Sequence, residues 1–513
     1  MSQIIGSNRS FIDFGVAANF INLSTAESVE HAKEIGIRKI IGASRTSLFW
    51  KFFMESSLLT GISILSGVLI LQLIFSPLSQ YLNFKLDMAP VFSLKGVLFL
   101  VGLFLSISIL AGVYPALLLS KIKPLKTISH TNSRSGVLFR RVLVVFQFFV
   151  SISLVLSTFI IQKQFSFMKQ ADLGFQKEEL LVLPINARIT EQVDSYVSEL
   201  FRKNLIREAS RAGDSPVLVK AQYSMSKNAD SENQIAVTGY SGDADLIPTL
   251  GLSLLNGNDF SDRDPFMSQV EENGEFPVLI NKSGAEALGW EPGEAINKKI
   301  SFDGLNAYIK GVIEDFHFNS LHKEIGPLVI FLEPNYSSKL LLRITGSNVS
   351  LTLQELKSSW NQLIPDRPFS FEFVDQQYQL MYDSEQRLGR IFTLFSTVSI
   401  VLSALGLLGL ISFLAHQKTK EISIRRVLGA EFAEILKFLA YDFLVLLGFS
   451  SLGAVLFGIW FSSSWLKGFA YKTSIPPLIF ALAILTVFLV SLSVVSLRIW
   501  RIFHQKPIET LNK

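Results

Sequence analysis

The order of apolar and polar residues along the chain separates two kinds of segment. Six windows, about 57–75, 96–119, 142–161, 391–415, 438–461 and 478–500, are long and apolar enough to cross a membrane as helices, which takes about 20 such residues. A seventh, about 11–23, is short and interrupted by Asp13, Asn19 and Asn22. Between the third and fourth windows the pattern changes. Short alternating or continuous apolar runs predict strands at 179–185, 217–224, 234–240, 276–281, 307–314, 328–333, 339–344 and 369–375. Helical spacing predicts helices at 192–210, 350–363 and 376–390, the last running on into the next window. The reading is a polytopic α-helical membrane protein with one large α+β extracytoplasmic domain.

Basic residues orient the spans, because short cytoplasmic loops carry an excess of Lys and Arg. Lys121, Lys123, Lys126, Arg134, Arg140 and Arg141 place 121–141 inside. Lys418, Lys420, Arg425, Arg426 and Lys437 do the same for 416–437, and Arg498, Arg501 and Lys506 for the tail. Residues 162–389 then lie outside the cell's inner (cytoplasmic) membrane, and the C-terminus is cytoplasmic.

Composition agrees with that division. Of 513 residues 49% are hydrophobic and 18% charged, which excludes a disordered chain and disfavours an ordinary soluble enzyme. The formal net charge of +4 conceals an asymmetry: residues 162–389 carry 21 basic and 32 acidic side chains. Nothing in this balance points to nucleic acid. The absence of cysteine removes disulfides and thiolate chemistry.

A repeat links the two ends of the chain. Lys33-Glu34-Ile35-Gly36-Ile37-Arg38-Lys39-Ile40-Ile41-Gly42-Ala43 recurs as Lys420-Glu421-Ile422-Ser423-Ile424-Arg425-Arg426-Val427-Leu428-Gly429-Ala430. Lys123-Pro124-Leu125-Lys126-Thr127-Ile128 likewise matches Lys506-Pro507-Ile508-Glu509-Thr510-Leu511. The chain therefore reads as two unequal copies of one repeat. Glu34 with Arg38, and Glu421 with Arg425, are i,i+4 pairs with the acid N-terminal. Ile37, Ile40 and Ile41, and Ile424, Val427 and Leu428, form apolar stripes. Gly42 and Gly429 sit where a left-handed residue ends a helix. Each copy predicts a short amphipathic helix beside the membrane, basic on its outer face. Duplication favours a docking element for a symmetric partner over an anchor for anionic lipid alone.

Asn22-Leu23-Ser24-Thr25-Ala26 followed by the Lys33–Ala43 motif resembles the FtsX-like/MacB-like ABC transporter permeases. Asp172-Leu173-Gly174-Phe175 with Leu181-Val182-Leu183-Pro184, Asp315-Phe316-His317-Phe318-Asn319-Ser320-Leu321-His322, and Gln386-Arg387-Leu388-Gly389 are similar to segments of the same family. The resemblance implies residues 1–30 as a degenerate or truncated first-repeat span and 31–130 as a first FtsX-like unit with two good spans. It further implies 131–161 as a cytoplasmic linker and span, 162–389 as a MacB-like core domain, and 390–513 as a second FtsX-like unit with three spans. A symmetrical pair would need roughly 240 further residues at the start, so an N-terminally incomplete member is expected.

The implied function is that of a permease subunit. A partner cytoplasmic ABC ATPase hydrolyses ATP, a second permease subunit completes a dimer in the lipid bilayer, and the outer domain moves to export or extrude a substrate. ATPase docking would fall to Lys33, Glu34, Arg38, Lys39 and Gly42, and to Lys420, Glu421, Arg425, Arg426 and Gly429. The alternative is a non-transporting regulator that switches an extracytoplasmic partner protein such as a hydrolase or sensor.

Other chemistry is weaker. No Gly-Lys dipeptide occurs, so the chain holds no phosphate loop of the Walker A kind. No catalytic constellation, cofactor site or metal site is expected. Glu314, Asp315, His317 and His322 could be imagined around a metal, but their spacing favours structural hydrogen bonding. Asn258, Asp259, Asp262 and Asp264 lack the calcium-loop order and read as a solvated turn. Gln147 suggests an interhelical hydrogen bond. Glu55 and Asp442, equivalent in the repeat, suggest pairing with nearby basic residues.

Overall fold

The computed structural model describes residues 44–83, 87–120, 134–227, 233–271, 274–346 and 348–504. They divide into two compact units. One takes the described parts of Met1–Lys163, Glu385–Trp465 and Ser474–Lys513; the other takes those of Gln164–Ser384 and Leu466–Thr473.

The first unit opens with α1 (Arg45–Leu82), capped by Ser44, whose hydroxyl accepts from Ser47 N at 3.2 Å. Asn83, left-handed at φ 50°, ends it by donating its N–H to the carbonyls of Ser79 and Gln80, a common helix stop. After the short α2 (Ala89–Phe92) comes α3 (Leu94–Ser120). The long α4 (Arg134–Gln170) follows and contributes residues to both units.

The second unit has two parts. In the first, β1 (Leu180–Pro184), β2 (Ile206–Ala212), β10 (Lys339–Ile344) and β11 (Glu372–Phe373) form an antiparallel sheet in the order β11-β1-β10-β2. The helices α5 (Thr190–Arg202) and α8 (Val349–Leu363) supply Val193, Tyr196, Leu200, Leu356 and Trp360 to the same core as Leu181, Leu183, Leu340 and Leu342. Tyr196 and Trp360 meet edge to face at 5.2 Å.

In the second part, β4 (Ile235–Gly242), β3 (Gln222–Ser226), β7 (Lys299–Phe302), β8 (Leu305–Ile313), β6 (Phe276–Asn281) and β9 (Leu328–Leu332) pair in that order. β9 then pairs parallel with β4, Thr238 opposite Leu328 through Gly242 opposite Leu332, which closes the ring. Met225, Val237, Phe276, Val278, Phe302, Ile309 and Phe331 share its core. The strand β5 (Leu254–Gly257) adds to β8. The short helices α6 (Leu246–Leu250), α7 (Lys282–Ala287) and α9 (Val374–Leu380) complete the unit.

Several sequence expectations shift here. The predicted helix 192–210 ends at Arg202, and its last residues become β2, held between β10 and β4. The predicted strand 217–224 begins only at Gln222, and 369–375 shrinks to the two residues of β11. The predicted helix 376–390 breaks after Leu380 and restarts at Asp383.

The chain returns to the first unit with α10 (Asp383–Gln417), α11 (Thr419–Val427), α12 (Phe432–Trp465) and α13 (Pro477–Phe503). Phe148, Ile152, Leu156 and Ile160 of α4 are buried with Leu407, Ile411, Phe443, Ala454 and Val487. Five described helices are long and apolar enough to span a membrane: Phe49–Leu82, Arg141–Gln170, Asp383–Ser412, Phe432–Gly468 and Pro477–Arg501.

Candidate functional site

Of the ten residues expected to dock a partner, Lys33, Glu34, Arg38, Lys39 and Gly42 lie outside the described residues, as does the side chain of Lys420. The second copy is α11. Arg425 donates to Glu421 at 2.9 Å, the i,i+4 pair the spacing predicts. Gly429, at φ 94°, ends the helix as expected. Its N–H reaches Arg426 O at 3.0 Å, and Ala430 N reaches Arg425 O at 2.9 Å, the two bonds of a Schellman stop.

The faces of α11 differ from expectation. Arg425 lies 4.3 Å above the ring of Phe438, Lys418 lies 4.0 Å above the same ring, and Arg426 lies 4.8 Å above Phe503. The cations are thus turned onto aromatic faces of α12 and α13, where the ring quadrupole holds them. Of the predicted stripe, Ile424, Val427 and Leu428 are 54%, 69% and 81% exposed, and the buried apolar residue is Ile422. The outer face is therefore apolar at its C-terminal end, not purely basic.

A second constellation gathers around Asp315–His322. Asp315 accepts from Asn281 Nδ2 at 2.7 Å, Ser283 N at 3.0 Å and Ser283 Oγ at 2.7 Å. Its oxygens hold the start of α7, which accounts for the structural reading of this acid. Asn281 is satisfied on both sides, since its Oδ1 also accepts from Gly284 N and Leu328 N.

The two histidines grip the connection between α12 and α13, residues 466–473. His317 meets the ring of Tyr471 edge-on at 4.6 Å. Burial pushes its pKa below the usual 6.5, against the opposing pull of Asp172 and Asp315. His322 stacks on Phe469 at 4.3 Å, with Nδ1 3.1 Å from Gly468 O. Gln164 fixes the same connection twice, donating to Tyr471 O and accepting from Thr473 N, both at 2.9 Å. Hydropathy could not reveal this clasp, because Gln164 and Tyr471 are far apart in sequence. Among the described residues no three His, Asp or Glu side chains converge as metal ligands.

The remaining polar expectations divide. Asp442 pairs with Arg141 at 3.2 Å. Glu55 is exposed and makes no ion pair among the described residues. Asp264 is not in an open turn: it pairs with Lys310, accepts from Ser261 N at 2.7 Å, and is 13% exposed. Gln147 makes no side-chain hydrogen bond among the described residues; only its backbone carbonyl is used, accepting from Ser403. Gly406 packs so closely on the amide that a Cβ there would stand 2.4 Å from Oε1.

The FtsX-like permease C-terminal family matches the chain at residues 11–124 and again at 393–507. Both matched regions are FtsX-like permease sequence. Among solved structures, the permease is similar to the periplasmic region of MacB from Actinobacillus actinomycetemcomitans. Identity is 13% over 40% of this chain and 94% of that one, with a TM-score of 0.29. It is also similar to the extracellular domain of the noncanonic ABC-type transporter YknZ from Gram-positive bacteria, at 13% identity over 38% and 97% of the two chains, TM-score 0.26. No curated protein matches it. The first match begins at residue 11 and so takes in the interrupted segment 11–23. With five described helices long and apolar enough to cross a bilayer, the permease is a multi-pass membrane protein.

Proposed function

We propose that the permease is the membrane subunit of an ABC transporter, in which a cytoplasmic ATPase drives movement of the domain over 162–389 to export or extrude a substrate. The two family matches and the recurrence of Lys33–Ala43 at Lys420–Ala430 support two copies of one unit, each offering a helix to an ATPase. The C-terminus and α11 are then cytoplasmic, and a second permease subunit completes the assembly.

The observation that carries this reading is α11. A short helix stapled by three cations to Phe438 and Phe503 is a firm handle on α12 and α13. Its exposed Ile424, Val427 and Leu428 offer an apolar surface for a protein groove. Motion is carried along α4 and α10, which are unbroken over Arg134–Gln170 and Asp383–Gln417, while His317 and His322 hold the connection 466–473.

Copurification with an ATPase tests the assignment. Val427→Glu combined with Leu428→Glu is expected to reduce the captured ATPase at least tenfold, with the permease still present in the membrane. Arg38→Glu combined with Arg425→Glu is expected to weaken it as well. Undiminished capture by both variants would remove α11 and its counterpart from the ATPase-facing surface.

A further inference from the structure

We infer that the seam between α4 and α10 has two registers within one helical turn of each other, and that Gln147 is the group left unpaired in the register described. Four positions on α4, Gln147, Ser151, Leu154 and Thr158, repeat at helical spacing against Ser396, Ser399, Ser403 and Gly406 on α10. The helices run antiparallel here. Thr158 Oγ1 meets Ser396 Oγ at 2.8 Å, and Ser151 Oγ meets both Ser399 Oγ at 2.7 Å and Ser403 Oγ at 2.8 Å. Ser403 also donates to Gln147 O at 3.1 Å.

The ladder stops one group short. Gln147 is 3% exposed, and neither its Nε2 nor its Oε1 has a partner among the described residues. A buried amide without partners is costly, more so in a bundle with no water to serve it. Yet a hydroxyl sits one step along the seam. Sliding α10 by up to a turn, about 5 Å, brings Ser403 off Ser151 and onto the amide of Gln147.

The accounting closes in the second register. Ser151 keeps Ser399. Thr158 and Ser396 separate, and each hydroxyl is then free to donate to its own helix, Thr158 to Leu154 O, 2.9 Å away, and Ser396 to Phe392 O, 2.7 Å away. The contacts Ser151–Ser403, Thr158–Ser396 and Ser403–Gln147 O are given up, Ser151 can turn its proton to the carbonyl of Gln147 four residues back, and the buried amide gains a partner. Gly406 and Gly389 present no side chain to block the slide. Packed helices move between discrete arrangements of this kind rather than deforming continuously. The inference concerns the seam itself and stands whichever partner drives it.

The chain contains no cysteine, so any introduced pair is the only pair. Thr158→Cys with Ser396→Cys reads the register described. Leu154→Cys with Ser396→Cys reads the other, because a bridge needs Cα atoms within about 7 Å. In the full chain in native membranes, mild oxidation is expected to cross-link both pairs. Adding Gln147→Leu, which has no amide to satisfy, is expected to reduce the second cross-link at least fivefold and leave the first intact. The intact first cross-link also reports that the variant folds; Gln147→Met repeats the arm if leucine removes it. Failure of the second pair to cross-link, or its indifference to both substitutions at Gln147, overturns the second register.

Discussion

Two apolar helices of nearly equal mean hydropathy have opposite surroundings. Within Phe49–Leu82, 6% of the most apolar window is buried; within Arg141–Gln170, 78% is. The first packs along α3 and leaves Trp50, Leu58, Leu65, Leu69 and Leu73 exposed. The second is surrounded by α10, α12 and α13, with Phe148, Ile152 and Ile160 fully buried. Hydropathy measures suitability for lipid, and lipid tails are as apolar as leucine. It therefore says that both helices belong in a membrane and nothing about which one stands at the centre of a bundle. What separates them is the neighbouring surface: glycines admit α4's side chains, and hydroxyls on α10 answer hydroxyls on α4.

The sharpest test of the difference uses one glycine from each region. A Cβ at Gly458 would stand 2.0 Å from Leu156 Cδ2 and 3.2 Å from Phe480, whereas one at Gly67 meets nothing within 4 Å. Gly458→Val is expected to cost about 1–3 kcal/mol, read as a lowered Tm of the detergent-solubilised protein. Gly67→Ala is expected to be neutral or to stabilise by about 0.5–1 kcal/mol. A loss at Gly67 comparable to that at Gly458 would show that α1 is packed against a further surface.

A smaller effect separates the hydroxyls. Ser151→Ala removes two hydrogen bonds across the seam and is expected to cost about 1 kcal/mol, at an average of about 0.6 kcal/mol for each such bond in membranes. Ser66→Ala, on the exposed side of α1, is expected to leave the Tm unchanged. The smallest difference lies in the equivalent acids. Asp442→Asn breaks the partly exposed pair with Arg141 and should cost no more than about 1 kcal/mol, vanishing in high salt. Glu55→Gln should change nothing at either salt concentration. A salt-sensitive loss at Glu55 would erase the distinction between the two positions.

Much of the architecture was legible because its signals are local. The apolar windows, the strands at 276–281 and 339–344, the helix at 350–363, the Glu421–Arg425 pair and the stop at Gly429 all depend on neighbours within a turn or two. What was not legible depends on distant surfaces. Ile206-Arg207-Glu208-Ala209-Ser210-Arg211-Ala212 has little strand character by composition and is a strand because β10 pairs with it along its length. A local clue was present: Asn204, left-handed at φ 52°, marks the end of α5. The amphipathic pattern of α11 was visible, but not which face the rings of Phe438 and Phe503 would claim. His317 and His322 stood out as chemistry, while their partners Tyr471 and Phe469 are aromatic residues that no ligand pattern would recruit.

The pairing of β1 with β11 carries a consequence for biosynthesis. Leu181 and Val182 sit opposite Phe373 and Glu372, so the strand that opens this part of the chain is completed by one that emerges about 190 residues later. At about 5–20 residues per second, the ribosome delivers the closing strand roughly 10–40 s after the opening one. For most of that interval both sides of β1 lack their native neighbours, because β10 (Lys339–Ile344) is also made late. The nascent segment must stay clear of other sticky chains until its own ends meet, which makes the outer domain the stage of folding most exposed to mishap.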